Sequence, residues 1–98
     1  MSEKIWTRVI RPGSGGHAQM QVVQLRKGAE VLDALMDPSG AVVLTYKGKA
    51  TDSIEDRVVY VLESGCVVTG GEFVSTVRHP GTGDLFHVFV AEAGARTT

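Results

Sequence analysis

Short apolar runs set between clusters of Gly, Pro, Asp and Ser constrain this chain more than any other feature, most clearly at residues 57–62 and 85–90. Each run is about as long as one β-strand, and the clusters between them are turn chemistry, so the pattern predicts a small all-β domain. No comparable stretch carries a helical stripe. Residues 4–10 alternate, which sets Ile5, Thr7 and Val9 on one face of a first strand and Trp6, Arg8 and Ile10 on the other. The run at 11–16 ends it, since Pro lacks a ladder donor and glycines loosen the backbone. A second strand over 18–25 puts Met20 and Val22 on one face and Val23 and Leu25 on the other, and residues 26–28 turn the chain.

Residues 30–36 fit helical spacing as well as β spacing. Seven residues closed by Asp37, Pro38, Ser39 and Gly40 are too few for a helix, whereas that tetrad makes a hairpin turn: Pro presets φ and Gly takes the left-handed position. The return strand covers 41–46, and a polar loop is expected over 47–56. Residues 57–62 are apolar on both faces, which predicts a central strand covered on each side. Residues 72–78 follow, with Phe73 and Val77 expected on one face and Val74 on the other. The turn at 79–84 then joins them to 85–90 as a hairpin. Residues 1–3 and 91–98 read as frayed tails.

With 98 residues, the chain suits a single core. About seven short, mostly antiparallel strands are best arranged as a single small sandwich or partly open barrel. Sheets this small leave edge strands in need of cover, so a homo-oligomer is expected. Ten basic residues balance eleven acidic ones, and no global field draws the chain to nucleic acid or an anionic membrane. No secretion signal or spanning segment is evident, so the expected compartment is the cytoplasm. Cys66 is alone, which leaves no intrachain disulfide and no Cys-rich zinc site.

The order of Lys4, Ile5 and Trp6, then residues 24–32 (Gln-Leu-Arg-Lys-Gly-Ala-Glu-Val-Leu), 60–65 (Tyr-Val-Leu-Glu-Ser-Gly), 73–77 and 85–89 is similar to a family of small uncharacterised proteins encoded in tailed-phage and prophage genomes. The likeness runs from about residue 4 to residue 90 and rests on the order of weak motifs. It departs at residues 63–66, where the family reads closer to Gly-Thr-Gly-His, and at 25–29, where the family more often has a Pro before Lys-Gly-Ala. The resemblance implies a bacterial host and a compact fold; it supplies no catalytic residue and no cofactor.

Candidate chemistries are weighed residue by residue. Cys66 would need an activating histidine, with His79 and His87 nearest in sequence, and it reads more simply as a small apolar residue. His17, His79, His87 and Asp84 form no tight ligand spacing, so no metal is expected. The glycine-rich run at 11–16 lacks the helix that a phosphate cradle needs. Asp52, Glu55 and Asp56 read as solvated loop carboxylates. The aromatic residues lack interleaved basic residues, so packing explains them better than base stacking. Trp6, beside Lys4, Arg8 and Arg11, is the exception: Trp6, Arg8 and Arg11 are the expected binding residues. The function expected is a non-enzymatic phage or prophage accessory protein that binds itself and a protein partner or small ligand. The alternatives are a minor structural component of the phage particle and, further off, a small thiol or histidine enzyme.

Overall fold

A computed structural model of the protein describes residues 3–11, 18–49, 53–68 and 70–91. Seven strands account for most of them: β1 (Glu3–Ile10), β2 (Ala18–Arg26), β3 (Glu30–Met36), β4 (Val42–Lys49), β5 (Ile54–Glu63), β6 (Glu72–Arg78) and β7 (Leu85–Val90). Among the described residues there is no helix, hence none long and apolar enough to cross a membrane. The strands pair antiparallel in two sheets, a three-stranded one ordered β1-β4-β3 and a four-stranded one ordered β2-β5-β7-β6. Neither closes into a barrel; they stack as a sandwich.

Alternation decides which side chains meet between the sheets. Ile10, Val42 and Leu44 come from the three-stranded sheet and Leu25, Val59 and Val88 from the four-stranded one, all fully buried. Each such side chain contributes about 1.5–3 kcal/mol on leaving water. β5 holds the centre of its sheet, between β2 and β7, and residues 57–62 are buried there on both faces apart from a half-buried Tyr60, as the unbroken apolar run requires.

The hairpin turns carry the predicted chemistry. The Gly40 N–H donates to Asp37 O at 3.0 Å, and Gly40 has φ +88°, where an L side chain is strained. Asp37 Oδ1 accepts from the Ser39 hydroxyl at 2.6 Å, the Ser39 N–H at 2.9 Å and the Ala41 N–H at 3.0 Å. These bonds, led by the Ser39 hydroxyl, hold its carboxyl below the ordinary carboxylate range, and the Arg11 charge adds to the effect. In the β6–β7 turn, His79 N–H donates to Asp84 O at 2.8 Å. The link from β5 to β6 differs, because β7 lies between these strands and the chain must return along the sheet. Gly71 makes the re-entry possible: its φ is +82°, and a Cβ there would lie 3.0 Å from the Val90 carbonyl carbon.

Four expectations need correction. The polar loop over 47–56 is mostly strand, since Lys47, Gly48 and Lys49 pair with β1 and Ile54, Glu55 and Asp56 pair with β2. Long partner strands recruit polar residues that their own composition would leave in a loop. Phe73 and Val77 face opposite ways, because a register shift between Phe73 and Ser75 inserts one residue into β6. Phe73 is exposed beside Phe89 while Val77 joins the core. Glu3 is no frayed end, being paired with Lys49 in β1. Ala91 is no frayed tail either, since it is buried and its N–H donates to Val58 O at 2.8 Å. The loop from 12 to 17, Asp52 and the tail from 92 lie outside the described residues.

Candidate functional site

Three places in this fold carry chemistry beyond packing: the flank formed by β1 and β2, a hydroxyl–imidazole contact on the outer face of the larger sheet, and a cavity on the opposite flank. On the first, β1 ends one sheet and β2 ends the other. The two edges run side by side, as shown by Arg26 of β2, whose guanidinium carbon sits 5.0 Å from the Trp6 ring centroid, and by Gln21, whose Nε2 donates to Arg11 O at 2.7 Å. The Trp6 indole N–H donates to Gly48 O at 3.1 Å, and its half-buried ring packs against the core. Trp6 is therefore held under the Arg26 cation, a contact worth about 0.5–1 kcal/mol where solvent reaches it. Arg8 and Arg11 are exposed. Arg8 pairs with Leu44 across β1 and β4, and the Arg11 charge is felt at Asp37, so the two cations look toward different surroundings.

The four sheet edges differ in how they resist another strand. β3 carries a register shift between Val31 and Asp33, and β6 carries the one beside Phe73. Both devices disrupt pairing, and these two edges also pack on each other. β1 has a continuous register but carries Glu3, Lys4 and Arg8. β2 alone has a continuous register with no charged residue, no proline and no glycine from Ala18 to Leu25. Its outward face shows Met20 and Val22, 59% and 45% exposed.

On the outer face of the four-stranded sheet, His87 stands between two hydroxyls. Nε2 lies 2.9 Å from Ser64 Oγ and Nδ1 lies 2.9 Å from Thr76 Oγ1. One hydroxyl donates and the other accepts, whichever tautomer the ring adopts. A serine nucleophile works with an imidazole whose other nitrogen is oriented by a carboxylate, which stabilises the imidazolium formed on attack. Here that third place holds a threonine hydroxyl, so the contact orients the ring without supplying that charge. The thiol alternative looked to Cys66 with His79 or His87; Ser64, two residues earlier, is the hydroxyl placed against His87 Nε2. His79 is engaged elsewhere: its Nδ1 accepts from the Gly81 N–H at 3.0 Å and the Thr82 N–H at 3.3 Å. The two histidines do not face each other, because His87 pairs with Thr76 across the hairpin. Among the described residues no three metal-ligating side chains gather.

The third place is a cavity of about 530 Å³ between the β2–β3 turn, the start of β5, the start of β6 and the end of β7. Arg57 lines it, only 9% exposed, on the inward face of β5 opposite Val23. Its Nε donates to Ala91 O at 2.6 Å and its Nη1 to Ala29 O at 3.1 Å, so the guanidinium clips the residue after β7 to the residue before β3. Glu55, expected in a solvated loop, instead lines this cavity from within β5 and accepts from the Gly28 N–H at 3.0 Å. Periodicity passes over Arg57, because the run it opens at 57–62 reads as apolar on both faces. Its position gives the signal: two and four residues before Val59 and Val61, it falls on the core side of a central strand, where a cation needs partners.

Comparison of the chain with protein-family models, with curated proteins and with solved structures returns no match. Geometry and residue chemistry must therefore carry the functional reading.

Proposed function

We propose that this chain is a non-enzymatic phage or prophage accessory protein of the host cytoplasm that acts by binding, and that it works as a homodimer joined along β2. The observation that carries the reading is the contrast among the four edges: three are bulged or charged, whereas β2 from Met20 to Leu25 is neither. Natural sheets blunt edges that must stay single, and an edge left unblunted suits a strand partner. A two-fold axis at Val22, the midpoint of β2, sets Val22 against its own copy and Met20 against Gln24. The two four-stranded sheets then join into one, and the exposed Met20 and Val22 side chains gain cross-strand neighbours. Self-complementarity makes a second copy the natural occupant. Trp6, Arg8 and Arg11, on or just beyond the neighbouring β1, are the proposed contacts for a further protein partner.

Light scattering across a concentration series tests this. Wild-type protein is expected to move between monomer and dimer mass, and Val22→Lys, which faces two ammonium groups across the axis, to weaken association by about 100-fold or more. Monomer mass for the wild type at every concentration would refute the dimer. Stoichiometric amounts of the chain in purified particles would make it a structural component instead.

A further inference from the structure

The geometry points to the Arg57 cavity as a binding site for a small zwitterion: an α-amino acid, or a short peptide end, with an apolar side chain. Arg57 is more than nine-tenths buried, and its Nε and Nη1 are spent on the Ala91 and Ala29 carbonyls. Among the described residues no acceptor reaches Nη2, and that nitrogen is not sealed from solvent. A guanidinium fixed by two backbone carbonyls, with one nitrogen left over beside a cavity, is preorganised for a carboxylate oxygen.

Three carboxylates around the same cavity decide against a simple anion. Glu30, Glu55 and Glu72 stand against Lys27, Arg57 and the Lys47 paired with Glu30, so the site offers no net positive charge to draw phosphate or a dicarboxylate. Glu30 lies 3.5 Å from Lys47, and Glu55 takes the Gly28 N–H. Among the described residues the Glu72 carboxylate has no hydrogen-bond or ion-pair partner, while its backbone pairs with Val90, and this leaves the carboxylate for a ligand ammonium. Val31, Val74 and Val90 supply an apolar wall. Carboxylate, ammonium and apolar side chain thus each find a counterpart, in a volume usual for small-molecule sites. The site lies on the β3–β6 flank, away from the β2 edge, so it stands or falls independently of dimer formation.

The test is an NMR titration of the full chain with L-phenylalanine, for which binding in the millimolar range is expected. Saturable shifts should appear at the amides of Val31, Val74 and Val90. Phenylalanine amide, N-acetylphenylalanine and inorganic phosphate should each bind at least about tenfold more weakly. Arg57→Lys, whose compact ammonium lacks the planar fork that reaches both carbonyls and a ligand from three separate nitrogens, should weaken binding by a similar factor. Because that variant risks the fold, Glu72→Gln at an exposed position provides the second arm and should also cost about tenfold. No saturable shift with phenylalanine, equal binding of either blocked derivative or of phosphate, or unchanged affinity in folded Glu72→Gln would each overturn the assignment.

Discussion

Replacing Gly40 by Ala probes how the two sheets are held together at their turns. The substitution meets two separate obstacles. At φ +88° an L residue is strained by about 1–2 kcal/mol. The new Cβ would also stand 2.9 Å from His79 Nε2, about half an ångström inside ordinary contact. The ring cannot easily retreat, because its Nδ1 is held by the Gly81 and Thr82 N–H groups at 3.0 and 3.3 Å. Overpacking of this kind costs about 1–3 kcal/mol, so Gly40→Ala should destabilise the protein by about 2–5 kcal/mol. In a His79→Ala background the second obstacle disappears and only the strain of about 1–2 kcal/mol remains. Guanidinium unfolding followed by the fluorescence of Trp6, the only tryptophan, measures both. The double variant should therefore be more stable than additivity allows by about 1–3 kcal/mol. Additivity within about 0.5 kcal/mol would refute the argument that this turn of the small sheet rests on the imidazole of the large one.

Other perturbations have equally definite outcomes. Arg57→Ala should destabilise by about 2–5 kcal/mol, because the Ala29 and Ala91 carbonyls lose their donor; thermal unfolding reads this. Trp6→Phe, which keeps a smaller aromatic ring but loses the indole N–H bond to Gly48 O, should cost at least about 1 kcal/mol, measured by circular dichroism in urea. The lowered pKa of Asp37 means that its turn stabilises the fold above the ordinary carboxylate range, and that this is lost as pH falls through the folded-state value. Asp37→Asn should therefore flatten the acid limb of a stability-versus-pH curve, and an unchanged limb would contradict the assignment.

Side-chain alternation made most of the architecture legible. The bounds of β3, β6 and β7 follow from their punctuation, and the burial of β5 follows from an apolar run with no polar face. Features that depend on partners were not legible. Lys47, Gly48 and Lys49 extend β4 only because β1 is long enough to meet them, and nothing in their own composition says so. The inserted residue beside Phe73 reverses a facing that strict alternation assigns, and no glycine or proline marks it. Among the candidate site residues, Trp6 was recognisable as unusual, but its pairing with Gly48 and Arg26 spans strands distant in sequence. Arg57 was visible as a letter and hidden as a role, since its partners Ala29 and Ala91 become neighbours only when both sheets have formed.

Single-cysteine cross-linking reads the β2 edge directly. In a Cys66→Ser background, Met20, Val22 and Gln24 are each replaced by Cys, with Leu35→Cys on the exposed face of the other sheet as comparison. Antiparallel neighbours directly opposite one another lie about 4.5–5.5 Å apart at Cα, within disulfide range. Pairing about Val22 predicts rapid disulfide formation at position 22, little at 20 and 24, and little at 35. Rapid cross-linking at 35 with none along β2, or equally slow oxidation at all four positions, would contradict it.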